Sequence, residues 1–259
     1  MELEQHEECP KCHGDGYIRW EENGYKYAKE CTCGIRRKRI LQEQLQFAEI
    51  PDMYKGCTFK NLRNSVYQNP KSKEIFLLAA KQVNYWIENI EQMKEQGIGL
   101  YIYSNTKGSG KTRLACSIAN ELMTRHQKTV KFTTVFKILE EIKATWNNSS
   151  ETTENKLIRD LTYADILIID DFGADSGKDW INERFYSIIN GRYIQSKITI
   201  YTSNCRISDL KYDDRITNRI LERSLEIPFP EESVRKHMAD AMKQELIKKI
   251  QGGENGKQA

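Results

Sequence analysis

Leu100-Tyr101-Ile102-Tyr103-Ser104-Asn105-Thr106-Lys107-Gly108-Ser109-Gly110-Lys111-Thr112 passes from an apolar run through a glycine turn into Lys-Thr, and Leu114-Ala115 then opens a helical pattern. A strand, a glycine turn and Lys-Thr at a helix start form a cradle for phosphate. Backbone N–H groups of such a loop point inward, and the helix N-terminus adds partial positive charge. The lysine reaches the β- and γ-phosphates, and the hydroxyl holds Mg²⁺. Residues Asn105, Thr106, Lys107, Gly108, Ser109, Gly110, Lys111 and Thr112 are therefore the candidate nucleotide-binding loop, with ATP and Mg²⁺ as its ligands. One position departs from G-x-x-x-x-G-K-[ST]: Asn105 stands where the first glycine belongs. Asn tolerates φ > 0 better than most residues, so a left-handed turn is still expected there.

A second run, Ile166-Leu167-Ile168-Ile169-Asp170-Asp171, has the β-branching of a buried parallel strand and ends in two carboxylates. At the carboxyl end of a central strand such acids lie beside the phosphate loop, where open α/β sheets collect their ligands. Asp170 then supports Mg²⁺ and Asp171 orients and deprotonates the attacking water. The strand Ile198-Thr199-Ile200-Tyr201-Thr202 leads into Ser203-Asn204, which sets a polar amide next to those carboxylates. Further on, Asp214-Arg215-Ile216-Thr217-Asn218-Arg219-Ile220 places Arg215 and Arg219 at i and i+4 on one helix face. That face suits either a surface ion-pair array or an arginine finger delivered to a neighbouring subunit's nucleotide.

Length and charge permit this scheme without compelling it. The 259 residues hold one α/β core plus a small appendage, and a net charge of +3 leaves any nucleic-acid contact to local patches. No segment approaches the roughly 18 consecutive apolar residues of a membrane span, and the acidic start is not a signal peptide. A cytoplasmic location is expected. Seven cysteines then invite a search for metal spacing. Cys9-Pro10-Lys11-Cys12 and Cys31-Thr32-Cys33 form C-x2-C and C-x-C pairs, which suit a closed four-thiolate structural zinc site. Reactive thiols or an iron–sulfur cluster are the alternatives. His6 and His13 are bystanders in this reading, and Cys57, Cys116 and Cys205 are singly packed small residues.

Between the modules Arg36-Arg37-Lys38-Arg39 leads into a helical pattern, either a phosphate-neutralising patch or, as favoured here, the solvated face of a linker. Periodicity predicts helices at 70–96, 111–126, 135–146, 155–163, 179–195 and 213–221, alternating with strands at 99–103, 129–133, 165–170, 197–202 and 224–229. A polar stretch, Asn147–Glu154, interrupts them, and Gly252–Ala259 has the composition of a disordered tail. Such alternation means a parallel five-stranded sheet between layers of helices. The expected organisation is a zinc-binding domain over 1–36, a linker helix over 37–52, the nucleotide-binding core over 53–240, and a helix end with a flexible tail over 241–259.

Taken in order, the phosphate loop, Asp170-Asp171-Phe172-Gly173-Ala174-Asp175, Thr202-Ser203-Asn204 and Arg215-Ile216-x-x-Arg219-Ile220 resemble the AAA+ ATPases of the DnaC/DnaI helicase-loader group and their IstB relatives. The resemblance covers roughly residues 50–240. It implies an AAA+ P-loop core without a separate lid domain, ATP hydrolysis, self-association through the ATP sites, and partnership with a DnaB-type replicative helicase and single-stranded DNA. It further implies that Asn204 is sensor 1, that Arg219 is the likelier trans finger with Arg215 beside it, and that Arg235 approaches the nucleotide. Phe59, within Ile50–Leu62, falls in the family's segment near the adenine. The cysteine module resembles the zinc-binding N-terminal domain of DnaI-type and phage-encoded loaders, which grips the helicase. Helix 135–146, with Phe136, Lys137, Lys143 and Trp146, stands where family members carry a helix that contacts single-stranded DNA, a pattern shared with ordinary amphipathic core helices. An IstB-like transposition helper and a purely structural adaptor with a degenerate nucleotide site are the alternative functions.

Overall fold

A computed structural model describes residues 9–146, 153–174 and 179–253. The chain divides into two compact units, Met1–Ala48 and Glu49–Ala259. In the first, strands β1 (Tyr17–Glu22) and β2 (Tyr25–Glu30) form an antiparallel hairpin that pairs Glu22 with Tyr25. Its turn is Asn23-Gly24, with φ of 53° and 78°, the positive-φ pair that a two-residue hairpin requires. Helix α1 (Ile35–Ala48) completes the unit.

The second unit holds a five-stranded, wholly parallel sheet in the order β4-β5-β6-β3-β7, comprising β3 (Gly99–Tyr103), β4 (Val130–Thr134), β5 (Ile166–Phe172), β6 (Ile198–Ser203) and β7 (Ser224–Pro228). Alternation along the strands divides two apolar layers. Tyr101, Leu167, Ile169 and Tyr201 face a core built with α5 (Val135–Trp146), α6 (Glu154–Tyr163), α7 (Asp179–Ile194) and α8 (Asp214–Glu222). The alternate residues Leu100, Ile102, Ile168 and Ile200 are equally buried, and α4 (Lys111–Thr124) packs against β4 and β6 while α2 (Pro70–Glu88) packs against β7. The expected α/β architecture is thus present, with one helix drawn too long. The pattern predicted over 70–96 is two helices, α2 and α3 (Ile90–Gln96), separated at Asn89, whose Nδ2 and N–H both donate to the Tyr85 carbonyl.

Close approaches fix how these layers meet. A Cβ on Gly99 would sit 1.8 Å from the Thr199 carbonyl oxygen, so only glycine lets β3 begin beside β6. Arg192 of α7 is 1% exposed; its guanidinium donates to the carbonyls of Leu161, Thr162, Ala164 and Ile198 and to Thr199 Oγ1. One buried cation thereby satisfies the carbonyl-rich end of α6 and joins it to β6. After β7 the described chain holds one further element, the helix α9 (Val234–Gly253), and no lid domain. Gly252 and Gly253, expected in the tail, close that helix. His6, Asn147–Thr152, Asp175 and 254–259 lie outside the described residues.

Candidate nucleotide site

The phosphate loop joins β3 to α4, and its left-handed backbone falls on Gly108 (φ 76°) and Gly110 (φ 106°). Asn105 takes no positive φ. The turn expected at that residue is absent, so a side chain there meets no backbone penalty and the missing glycine costs the loop nothing in conformation. Lys111, the first residue of α4, is buried, and its ammonium turns into its own loop. It donates to the carbonyls of Ser104 (3.1 Å) and Thr106 (3.0 Å), with Ser109 Oγ at 3.4 Å. Burial lowers its pKa, against the opposing charges of Asp171, Glu231 and Asp170. A cation lodged inside a glycine turn at a helix N-terminus is a fitting receptor for a phosphate chain.

At the end of β5 the two carboxylates diverge. Asp170 is 5% exposed and accepts from Thr112 Oγ1 (3.0 Å to Oδ1) and Thr202 Oγ1 (2.5 Å). Burial, with the charge of Asp171 next to it, raises its pKa to about 6 despite both hydroxyls. Asp171 is exposed and sits at φ 54°, where the pairing of β5 with β6 slips by one residue; its N–H donates to Thr202 Oγ1 at 3.0 Å. Without that bulge, neighbours on a strand would point to opposite faces. The Thr112–Asp170 pair is the donor set a Mg²⁺ ion would take, hydroxyl and carboxylate already in contact. Asn204 follows β6 directly, two residues after Thr202, and so stands at the same sheet edge. Phe59 opens a short 3₁₀ turn (Phe59–Asn61) that packs on α4, while Asn120 of α4 donates Nδ2 to the carbonyls of Tyr54, Lys55 and Cys57 just upstream.

Arg215 and Arg219 do share one face of α8, and the face is furnished. Arg215 pairs with Asp213 (2.9 Å) and lies over the Tyr186 ring at 4.7 Å. Arg219 lies 5.1 Å from the Tyr186 centroid and 5.5 Å from that of Tyr193, donating to Asn190 Oδ1 at 2.8 Å and to the Arg215 carbonyl. Arg223 continues the ladder over Tyr193 at 5.0 Å. Of the first two, Arg215 is exposed and Arg219 only partly so.

On α5, Phe136 and Trp146 are 63% and 51% exposed, and Lys143 lies 5.8 Å over the Trp180 ring. Lys137 is already engaged with Glu49 and, at 3.8 Å, with Glu141. Four sulfurs meet within the first unit: the Sγ atoms of Cys9, Cys12, Cys31 and Cys33 lie within 4.8 Å of one another, with Cys9–Cys31 at 3.7 Å and Cys12–Cys33 at 3.6 Å. Tetrahedral ligation at a Zn–S distance of about 2.3 Å separates sulfurs by about 3.8 Å, so the set fits zinc. Backbone N–H groups of Lys11 and Cys12 hold the Cys9 thiol down at about 6, whereas, against the Cys33 N–H, burial and the neighbouring thiols push Cys31 up to about 12, as expected where crowded sulfurs cannot all ionise without a cation among them.

Three contributors escape sequence reasoning. Thr202 donates to the Asp170 carboxylate and accepts from the Asp171 N–H; its place in the strand leading to Asn204 is the one signal that pointed to it. Tyr67 donates its hydroxyl to the Ser109 carbonyl at 2.7 Å. Glu231 accepts from the N–H groups of Asn105 (2.8 Å) and Thr106 (2.9 Å) and from Thr106 Oγ1 (2.9 Å), while the Arg235 N–H approaches the Gly108 carbonyl at 3.3 Å.

The family described as IstB-like ATP binding protein matches residues 29–241. The chain is 25% identical over 236 residues to the replicative helicase loader DnaC of Buchnera aphidicola subsp. Baizongia pistaciae, covering 88% of this chain and 89% of that one. It is 28% identical over 221 residues to the phage-like element PBSX protein XkdC of Bacillus subtilis, covering 83% and 79%. Its fold superimposes on the crystal structure of DnaI with a TM-score of 0.58 at 22% identity, over 70% of this chain and 94% of DnaI.

Proposed function

We propose, from the premise that this chain belongs to the IstB-like ATP-binding protein family, that it is an ATP-hydrolysing helicase loader of DNA replication. The observation that carries the ATPase reading is the 3.0 Å hydrogen bond from Thr112 to Asp170, which brings the phosphate loop and the acidic strand end to one point. ATP would lie along the loop from Asn105 to Thr112, with Lys111 leaving its own carbonyls for the phosphates and Phe59 near the base. Thr112 and Asp170 would hold Mg²⁺, which neutralises phosphate charge. Asp171 would take the proton of the attacking water, and Asn204 would orient that water or the γ-phosphate.

The arginine face of α8 would complete a neighbour's site in trans, so turnover depends on self-association. Arg215, exposed and paired in water, leaves Asp213 easily; Arg219 stiffens the face or follows it. The cysteine unit, folded on zinc, would hold a DnaB-type helicase, and Phe136, Lys143 and Trp146 would meet single-stranded DNA, with Lys137 joining only by leaving Glu49.

Turnover with and without single-stranded DNA tests this scheme. For Arg219→Ala and Arg215→Ala the expected result is retained ATP binding and at least a hundred-fold loss of stimulated turnover in one of them. Unchanged turnover in both removes this face from catalysis. Co-purification with a DnaB-type helicase rather than a transposase separates the loader from an IstB-type transposition helper.

A further inference from the structure

We infer that Glu231 is a positioning residue for the nucleotide: its carboxylate holds the leading half of the phosphate loop in its receiving shape from 126 residues away. The inference rests on the ATP-binding reading and deepens it by naming what keeps the loop open.

Four contacts made by Glu231 belong to three consecutive residues of the loop's entry. Oε1 accepts from the Asn105 N–H at 2.8 Å. Oε2 accepts from the Thr106 N–H and hydroxyl, both at 2.9 Å, and lies 3.2 Å from Ser104 Oγ. A carboxylate bridging successive N–H groups is the strong form of hydrogen bond and fixes the peptide planes between them. Those planes matter because the one that holds the Asn105 N–H also carries the Ser104 carbonyl, an acceptor of Lys111 Nζ, while the second acceptor, the Thr106 carbonyl, belongs to the residue whose N–H and hydroxyl Glu231 holds. Glu231 thus sets, through the 104–105 peptide and its hold on Thr106, where the lysine rests and from where it swings to a phosphate. It also supplies one of the negative charges that oppose the downward push of burial on the lysine's pKa.

The same short segment grips its surroundings elsewhere. Ser104 Oγ donates to the Pro230 carbonyl at 2.9 Å. Glu232 accepts from the N–H groups of Gln68 (2.7 Å) and Asn69 (3.2 Å), at the start of α2, and pairs with His237 at 3.2 Å. A Cβ on Gly108 would stand 3.0 Å from Arg235 Cβ and from Ser233 Oγ, so the segment lies against the loop along its length. Glu232 therefore anchors the segment and Glu231 addresses the loop. Asn105 needs no glycine freedom because its geometry is imposed from outside, by an acceptor for its N–H.

The test uses the full chain with Glu231→Ala, Glu231→Gln and, as a control on the anchor, Glu232→Gln. Without nucleotide, amide exchange at Asn105 and Thr106 is expected to be slow in the wild type, at least ten-fold faster in Glu231→Ala, and little changed in Glu232→Gln. Fast exchange in the wild type, or no acceleration in Glu231→Ala, overturns the assignment. Titration with a fluorescent ATP analogue and Mg²⁺ is expected to give a Kd raised about ten-fold by Glu231→Ala and by less in Glu231→Gln, which keeps one acceptor. An unchanged or tighter Kd overturns the inference. Failure of the wild type to bind nucleotide overturns instead the ATP reading on which it rests, and the exchange result then still judges the contact itself. Should Glu231→Ala fail to fold, Glu231→Gln carries both readouts.

Discussion

Asp170→Asn isolates the conflict built into the end of β5. The buried carboxyl is raised from 3.8 to about 6, chiefly by burial and despite the hydroxyls of Thr112 and Thr202. A group whose folded pKa exceeds its unfolded value weakens the fold once it ionises. The penalty is absent below pH 4, grows between about 4 and 6, and is complete above. At 1.36 kcal/mol per pH unit the difference corresponds to about 3 kcal/mol as a ceiling. Asparagine keeps the shape and an acceptor for the threonines while discarding the charge, so the nucleotide-free variant is expected to be about 1–3 kcal/mol more stable at pH 8, less whatever the charge-assisted bonds lose on becoming neutral. For a unit of this size that is about 2–4 °C of Tm per kcal/mol. Urea unfolding at pH 8 and at pH 4.5 measures it: the gain is expected at the higher pH and should shrink at the lower. Mg²⁺-dependent ATP binding should fall in the same variant, since the metal's carboxylate is gone. A variant no more stable than wild type at pH 8, or a gain that ignores pH, would refute the reasoning.

Gly99→Ala drives a methyl into the Thr199 carbonyl at 1.8 Å and should cost about 3 kcal/mol or more, visible as loss of soluble protein or a much lower urea midpoint. Arg192→Leu leaves the carbonyls of Leu161, Thr162, Ala164 and Ile198 without their donor; at about 1–3 kcal/mol for each buried orphan the variant should unfold far more readily by calorimetry, and a midpoint near wild type would contradict this. Stripping metal with a chelator should unfold the Met1–Ala48 unit while nucleotide binding and the melting of the rest persist, because the four thiolates are confined to that unit. Simultaneous loss of both would show that the two units do not fold independently.

Strand, loop and helix around Lys111 were legible because every signal is local: an apolar run, two glycines and a Lys-Thr pair within thirteen residues. The acidic strand end was legible for the same reason. Its bulge was not, since a slip of register against β6 leaves no mark on the residues that slip. Tyr67 and Glu231 reach the loop across 42 and 126 residues, and nothing in their own neighbourhoods distinguishes them from surface residues. The β1–β2 hairpin escaped because its residues are largely exposed on both faces, which erases the two-residue apolar period, although Asn23-Gly24 marked the turn. Asn89 divided a helix whose apolar spacing continues through it, and a polar side chain that bonds back to Tyr85 is silent in periodicity.

The left-handed backbone at Asp171 limits what this position can become. An L-residue with a long or branched side chain is disfavoured there by about 1–2 kcal/mol, a cost that Asp, Asn and Gly largely escape. Glutamate, the longer general base, would add reach toward water but burden the main chain at its tightest point. The identity of this acid is thus constrained by the peptide geometry beneath it, and asparagine or glycine are the replacements that would leave the main chain least strained.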